Sequence, residues 1–548
     1  MSYSEYLEKV KGSYRQAVKI EWLNPDETVK CEMTNNLYDI NVSLNVNYTN
    51  GSRRSCTLTL NNDANTYPID FNNIWVNQKF KLWMGVYLND NTPYFIPQGV
   101  FYVSNPNETY NPSTRTITIN GVDKWAHLDG SLSGTLNGTY VTNVDSNLFD
   151  AIRTLLSMPS IPVSIIPIDS SSINNCCLVE GDFKWDSTRA NTLVPKNNNK
   201  GNSGTSYITL EAKENSIISF DLDYDLLRSS DYVKIFKNKD LILSRKMFQH
   251  SSVIVEKSSL KGYKFEQYLT KGDTLKIYFY KTYSSVASNC YIYNIIYSPY
   301  IAKDPISPFL SPSYIGKTVE ILNDGKLETK DVLNCPYTVT IEKGKTDADI
   351  LLEYATILCA HIYYDVNGRL ILEPMSDETD DITDTNKEIL WDYSVNEKTF
   401  LGLTQTYNFD KIHNDIIVLG NVVNGYQFKA RVQNRNPLSN TSIQRIGIKT
   451  KEPIEDNQYY SDEQCAELAK YYAKVDTILQ KSGNVSSIPL YHLDVNKLVT
   501  ISTPNNNMSK ELFLITGFSL SSSSSMTLNV TSVNILKDFS VVEATVYD

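Results

Sequence analysis

The feature that most constrains the fold of this chain is a two-residue alternation of apolar and polar side chains. In VSLNVN at 42–47, valine and leucine alternate with serine and asparagine, and CTLTL at 56–60 and TITIN at 116–120 repeat the pattern. A period of two indicates a strand with one buried face and one face that is wet or covered by a partner. Turn-forming pairs such as Asn-Gly at 50–51 separate the runs. The sequence therefore predicts a mainly β chain with α+β parts.

The composition indicates a folded protein with several domains. The chain has 548 residues, of which 41% are hydrophobic and 21% are charged. A chain of this length is too long for a single core, and this balance is ordinary for globular proteins. No apolar run approaches the roughly 20 residues that a membrane helix needs, so we expect no membrane-spanning helix.

The net charge of −11 argues against a protein that reads nucleic-acid sequence. Such proteins usually carry a clustered basic patch, and the lysines and arginines here are scattered. An acidic wall would instead repel phosphates, so that DNA could slide past it without binding.

Turn-rich and proline-rich stretches divide the chain into segments. The prediction is an N-terminal tube-like β domain (1–143), a helix and connector (144–175), an inserted β-sandwich (176–304), an α/β domain (305–391) and a C-terminal tube-like β domain with one helix (392–548). We expect the insert to fold on its own, because it contains enough alternating strands for a two-layer core.

Helix and turn signals place the non-strand elements. Asp145, Thr346 and Ser461 are the predicted N-caps, and Gln464 would complete a capping box with Ser461. The Asn-Gly pair at 367–368 lies between two apolar runs and predicts a hairpin.

The search for catalytic motifs favours a non-enzymatic role. Five histidines occur without metal-ligand spacing, and no nucleophile elbow or phosphate-binding loop is present. Cys359 and His361 are two residues apart on a predicted helix, so they are expected to point in different directions. The eight scattered cysteines suit reduced thiols packed as small hydrophobes. We expect no catalytic residue and no cofactor.

Acidic clusters are the remaining candidates for a metal site. Asp221, Asp223 and Asp225 alternate with apolar residues, so their carboxylates would share one strand face and form a candidate calcium site. The alternative is a solvated outer face. The acidic loop at 377–386 departs from the EF-hand spacing and is interpreted as solvated.

Five stretches carry a pattern that is more specific than alternation. They are RRSCTLTLNND near the N-terminus, QGVFYVSNPNETYNPSTRTITINGVDKWAHLDG, TDADILLEYATILCAHIYYDVNGRLILEP, YNFDKIHNDIIVLGN and IPLYHLDVNKLVTIS. In this order they resemble the baseplate hub proteins of phage tails. The resemblance implies a homotrimer in which two tube-like domains per subunit form a pseudo-sixfold ring. It also implies a virion protein, made in the bacterial host cytoplasm, that contacts the tail tube or distal tail protein, the tape-measure protein and tip, spike or fibre proteins. DNA would pass through without specific binding.

The inserted segment departs from that family and leaves two alternatives open. It resembles jelly-roll sandwiches of bacterial surface and carbohydrate-binding proteins. Tyr278, Tyr280 and Tyr283 are candidate contacts to a host cell-wall glycan, although they could equally be core or interface aromatics. The first alternative function is therefore a receptor- or carbohydrate-binding tail-tip protein. The second is a tail-associated cell-wall lysin, which is disfavoured because we expect no hydrolase domain after the final strands. In a ring we expect the insert on the outside.

Overall fold

The computed structural model describes most of the chain. The described residues are 3–35, 40–62, 68–70, 74–112, 114–162, 166–199, 201–228, 230–246, 258–323, 326–374, 389–394, 397–407, 409–456, 459–476, 481–503, 508–522, 525–532 and 539–542. The acidic loop at 377–386 lies outside them, as do Val253 and Val255, which are expected from the sequence to be core positions of the inserted sandwich.

The N-terminal part consists mainly of strands. Its elements are α1 (Tyr3–Val10), β1 (Gln16–Leu23), β2 (Val29–Asn35), β3 (Ile40–Asn47), β4 (Arg54–Asn61), β5 (Lys79–Tyr87), β6 (Pro93–Asn111), β7 (Thr114–Asp123), a 3-10 helix (Lys124–His127), β8 (Tyr140–Thr142) and α2 (Leu148–Ser157).

The middle of the chain adds twelve further described strands and a short helix. They are β9 (Pro159–Pro162), β10 (Ile166–Pro167), α3 (Ile173–Cys176), β11 (Cys177–Gly181), β12 (Phe183–Trp185), β13 (Leu193–Pro195), β14 (Gly204–Ala212), β15 (Ser216–Leu226), β16 (Tyr232–Lys237), β17 (Asp240–Lys246), β18 (Ser258–Leu269), β19 (Thr274–Lys281) and β20 (Asn289–Ala302).

The C-terminal part mixes helices with strands. Its elements are β21 (Phe309–Leu310), a 3-10 helix (Pro312–Tyr314), β22 (Thr318–Asn323), β23 (Lys326–Asp331), β24 (Val339–Ile341), α4 (Asp347–Ile357), β25 (Ala360–Tyr364), β26 (Leu370–Pro374), β27 (Ile389–Ser394), β28 (Phe400–Tyr407), a 3-10 helix (Phe409–Lys411), β29 (Asp415–Val423), β30 (Tyr426–Asn434), α5 (Ile443–Ile446), β31 (Ile454–Glu455), α6 (Asp462–Asp476), β32 (Lys481–Ser487), β33 (Leu498–Thr503), β34 (Met508–Ser521), β35 (Met526–Ser532) and β36 (Phe539–Val542).

The mainly β prediction is confirmed, and none of the described helices is both long and apolar enough to cross a membrane. The chain divides into two compact units, one formed by Met1–Leu155 with Ile306–Asp548 and the other by Leu156–Pro305. The second unit begins before residue 176, the predicted start of the insert, because β9 and β10 pair with β20.

The two tube-like β domains of the larger unit share one sheet. Its strand order is β2-β1-β5-β6-β7-β4-β3-β34-β35-β32-β28, and β33 and β27 branch from β34. One apolar core cluster also spans both domains, with Leu44 and Phe80 from the first and Tyr393 and Leu528 from the second. The two predicted domains are thus halves of one continuous structure.

The smaller unit is a two-sheet sandwich. One sheet has the order β12-β13-β20-β15-β18, with β9 and β10 also on β20, and the other has the order β11-β14-β19-β16-β17. Both sheets supply side chains to one core cluster, including Phe220, Leu222, Ile235 and Phe279. These are core positions that the alternation predicts.

The predicted helix caps are confirmed at α4 and corrected at α2. Thr346 caps α4 in a reciprocal capping box with Asp349. At α2 the prediction of Asp145 was wrong. The Asn147 side chain accepts the Asp150 N–H at 3.0 Å, whereas Asp145 pairs with Lys330 at 2.6 Å. Asp145 does not cap the first turn because it lies three residues before Leu148, where α2 begins, and Asn147 occupies the capping position.

At α6 the predicted capping pair is present in a modified form. Ser461 Oγ accepts the Gln464 N–H at 3.1 Å, as predicted. The Gln464 side chain, however, accepts from the Tyr460 N–H at 2.9 Å, one residue before the predicted cap.

Candidate functional site

The outward side of the shared sheet carries an almost uniform layer of uncharged polar side chains. We call it the neutral face. It runs across eight adjacent strands, from residues 104–111 of β6 through β7, β4, β3, β34, β35 and β32 to β28. Its side chains are Ser104, Asn107, Thr109, Thr116, Thr118, Asn120, Ser55, Thr57, Thr59, Asn61, Asn41, Ser43, Asn45, Asn47, Ser519, Ser521, Thr527, Asn529, Thr531, Ser482, Asn484, Ser486, Thr404 and Thr406.

The two-residue period of the sequence produces this face directly. In β3, Ile40, Val42, Leu44 and Val46 are buried, and each residue between them is exposed. Since successive side chains of a strand point to opposite sides, the same alternation on neighbouring strands aligns all the hydroxyl and amide groups.

The neutral face is uncharged, whereas the expected acidic wall would carry negative charge. The net charge of −11 belongs to the chain as a whole. Among the described outward positions of the paired segments named above, none is Asp, Glu, Lys or Arg. Hydroxyl and amide groups offer phosphates neither repulsion nor the counterion release that drives non-specific binding.

The two halves of the neutral face join at an antiparallel pairing between β3 and β34. The register runs from Ser43 opposite Ser521 to Asn47 opposite Gly517. Val42 and Ser522 extend it, because the Val42 N–H donates to Ser522 Oγ at 2.9 Å and the Ser522 N–H donates to the Val42 carbonyl at 2.9 Å. Backbone pairing therefore carries the sheet from one domain to the next.

Among the described strands, the neutral face ends at two edges that have no further neighbour. At one end, β28 pairs with β32 on one side only within the described residues. At the other end, β5 pairs with β6 only as far as Tyr102, and among the described strands residues 104–110 of β6 pair only with β7. Apolar side chains lie exposed at these edges: Leu401 is 57% exposed and Tyr110 is 77% exposed. Long unpaired edges with exposed apolar groups are templates for another chain.

The three aspartates of β15 share one partly exposed face, as the alternation indicates, but they do not converge. Asp221 accepts from Asn294 Nδ2 at 2.7 Å, and Asp223 accepts from the Gly262 N–H at 2.7 Å and from the Tyr293 hydroxyl at 3.1 Å. Across the described residues, no group of three or more His, Cys, Asp and Glu side chains could hold a metal ion. The calcium site stays a prediction without a ligand cluster.

Tyr278 and Tyr280 lie on the outward side of β19, but their rings already contact other rings. Tyr280 stacks on Tyr232 with centroids 5.0 Å apart, and Tyr278 meets Phe236 edge-on at 5.6 Å. Neighbouring rings that stack on each other across a strand pair present their edges outward, and sugar stacking needs an open ring face. Tyr283 is 58% exposed and keeps such a face.

The cysteines near histidine are not arranged as nucleophiles. Helix α4 ends at Ile357 and His361 lies in β25, so Cys359 and His361 are not on one helix as the sequence suggested. Burial raises the pKa of the Cys359 and Cys465 thiols to about 12, so both are protonated at neutral pH.

Comparison with known proteins gives matches only among solved structures. No protein-family model matches the chain, and no curated protein sequence matches it. The matching structures include three tail proteins that each align over nearly their whole length. The chain is similar to phage tail proteins.

The 43 kDa tail protein of prophage MuSo2 from Shewanella oneidensis is 9% identical, covers 94% of this chain and 98% of its own, and has a TM-score of 0.40. The tail protein from Neisseria meningitidis is 8% identical, with coverages of 96% and 98% and a TM-score of 0.42. The prophage tail protein gp18 from Listeria monocytogenes is 8% identical, with coverages of 95% and 95% and a TM-score of 0.37.

Proposed function

We propose that this chain is a structural, non-catalytic hub subunit at the distal end of a phage tail or phage-like particle. In this proposal three copies form a closed ring around a passage. The observation that supports it is the neutral face, which is continuous across two domains and, among the described strands, ends at two edges without a further neighbour. Our proposal is that β28 of one copy pairs with residues 104–111 of the next.

Ring closure would pair the two edges of the neutral face with each other. A sheet that closes on itself has no free edge. When one surface of a subunit binds a different surface of the next copy, the copies form a closed ring if the rotation between neighbours is a whole fraction of a full turn. Two similar halves per copy give six quasi-equivalent positions from three subunits, which would match a hexameric tube.

The neutral face would then line the passage. DNA or a tape-measure protein would move along hydroxyl and amide groups that form no ion pairs with it. The ring would continue or close the tail tube through the tube or distal tail protein and would anchor tip, spike or fibre proteins.

Disulfide trapping tests the proposed edge pairing. One cysteine is placed at Ser104, Asn107 or Thr109 and another at Thr404 or Thr406, in a background where the exposed Cys31 is replaced by serine. A pair in register brings two Cβ atoms to roughly 4 Å, which a disulfide requires. The expected product under oxidation is a covalent trimer with no longer species.

A matched control keeps the first cysteine and moves the second to Asn137, an exposed loop residue away from both edges. This pair should give no discrete trimer. The trimeric ring would be refuted by a series of cross-linked products larger than a trimer, by a closed ring of six copies, or by the absence of a cross-link in every combination.

A further inference from the structure

A cleft of about 510 Å³ opens on the outward side of the β15–β18–β20 sheet in the smaller unit. Phe220 and Phe265 lie beneath it, but their stacked rings, with centroids 4.8 Å apart, belong to the core between the two sheets and are only 2% and 7% exposed. Ile296 and Pro167 supply apolar walls. The volume is within the usual range of small-ligand sites.

A bulge in β20 shapes this cleft. Ser219 pairs with Ile296 and Asp221 pairs with Tyr293, so two steps along β15 correspond to three along β20. The bulge contains Asn294, whose φ of +50° departs from strand geometry. Bulges of this kind redirect a side chain, and Asn294 Nδ2 consequently donates to Asp221 Oδ2 at 2.7 Å.

The rim of the cleft combines hydrogen-bond donors and acceptors. Lys264 lies opposite Asp221 and Glu266 lies opposite Ser219 in the β15–β18 register. Neither Lys264 nor Glu266 forms an ion pair with another described residue. The rim therefore offers an ammonium donor, a hydroxyl and carboxylate oxygens next to the amide–carboxylate pair of Asn294 and Asp221.

We propose that this cleft binds a neutral saccharide. Vicinal sugar hydroxyls donate and accept at once, which the mixed rim satisfies, and the apolar face of a sugar ring can pack on the walls formed by Ile296 and Pro167. Two carboxylates against one ammonium disfavour an anionic ligand. An apolar ligand would leave the rim groups buried without partners.

The site differs from the tyrosines of β19, which lie on the other sheet of the sandwich. It does not depend on ring closure, because every cleft residue belongs to the smaller unit. The sequence shows no signal for it, since the cleft residues come from separate strands and a loop and the bulge is a property of strand register.

The test is binding of the full-length protein to an array of immobilised bacterial saccharides, both neutral and phosphate- or carboxylate-bearing. The variants are Asp221→Ala and Glu266→Ala, with Asp240→Ala as the matched control because Asp240 is exposed on β17 of the opposite sheet. Loss of a charged hydrogen bond costs about tenfold or more in affinity.

We expect binding to neutral saccharides that falls about tenfold or more in the two cleft variants and is unchanged in Asp240→Ala. Unchanged unfolding temperatures and trimer mass would separate this effect from misfolding and from failure of the ring. The proposal is overturned by an absence of binding to any saccharide, by binding only to acidic polymers that Lys264→Ala abolishes, or by binding that Tyr280→Ala removes and the cleft variants do not.

Discussion

Gly368 occupies a position where both the backbone and the surroundings exclude a side chain. Its φ is +74°, and a Cβ there would lie 2.9 Å from Val100 Cγ2 and 3.2 Å from Lys124 Cδ. Lys124 Nζ donates to the Gly368 carbonyl at 2.8 Å and pairs with Glu27 at 2.8 Å. The Asn-Gly turn could be predicted from sequence. The packing of its glycine against a β domain more than 200 residues away could not, because it depends on tertiary contacts.

Replacing Gly368 with alanine should destabilise the protein more than the same change at Gly316. Gly316 has the same φ of +74° but no heavy atom within 4 Å of its Cβ position. Each substitution incurs about 1–2 kcal/mol of backbone strain, and Gly368→Ala adds about 1–3 kcal/mol from overpacking. Chemical denaturation measures both, and equal losses would show that Val100 and Lys124 move aside freely.

His492 is kept neutral by burial, and both of its ring nitrogens take part in a hydrogen-bond chain. Its Nε2 donates to the Leu390 carbonyl at 3.3 Å, so Nδ1 accepts from the Tyr6 hydroxyl at 3.0 Å, and that hydroxyl accepts the Tyr491 N–H at 3.0 Å. Burial lowers the pKa of His492 from 6.5 to about 4.

The depressed pKa predicts a loss of stability in mild acid. Between pH 6.5 and 4 the unfolded chain binds a proton at this histidine and the folded chain does not, so stability falls as the pH falls. The loss reaches at most about 3 kcal/mol. Denaturation across this pH window should show a shallower slope for His492→Gln than for the unsubstituted protein. Identical slopes would contradict the assignment.

Helix α4 is fixed at its start by two reciprocal hydrogen bonds. Thr346 Oγ1 accepts the Asp349 N–H at 3.2 Å, and the Asp349 carboxylate accepts the Thr346 N–H at 2.7 Å. Thr356, later in the same helix, donates its hydroxyl to the Leu352 carbonyl at 2.9 Å. The Thr346 hydroxyl caps the helix by accepting a backbone N–H of the first turn. The Thr356 hydroxyl only donates an additional hydrogen bond to a carbonyl inside the helix.

Thr346→Ala should therefore cost about 1 kcal/mol of unfolding free energy. Thr356→Ala is its matched control and should change stability by less than about 0.5 kcal/mol. Thermal unfolding of the two variants compares them, and a loss at Thr356 equal to that at Thr346 would mean that capping is not the cause.

At the scale of elements, local patterns could be predicted and pairings could not. Alternation in β3, β4 and β7 identifies strands and their buried sides, because it depends only on neighbouring residues. The edge-to-edge pairing of β3 with β34 joins residues about 475 positions apart, and no local pattern encodes it. The open edge of β6 likewise appears only once β5 is seen to stop pairing at Tyr102.

At the scale of the whole molecule, the sandwich unit has its own core and its own two sheets. Replacing Leu156–Pro305 with a short Gly/Ser linker should leave the larger unit folded and trimeric, with its mass lowered by that of the removed segment. Light scattering measures the assembly and circular dichroism measures the fold. Aggregation of the shortened chain would indicate that these strands belong to the hub core.

The neutral face makes a prediction about passage of DNA. Adding lysines at Asn45 and Asn529 would place positive charge on both halves of the face, near the β3–β34 junction. Each phosphate that a lysine neutralises releases counterions, so log K should fall with log salt by about 0.9 per contact. The double variant should therefore bind duplex DNA at low salt and release it as salt rises, and the unsubstituted protein should not bind at either salt.

The control carries the same two charges at Asn137 and Thr139, which lie in an exposed loop. If the face lines a passage, converging lysines from all copies act on one duplex, and the loop variant should bind far more weakly. Equal DNA binding by both variants would mean that added charge alone is responsible and that the neutral face does not surround the DNA.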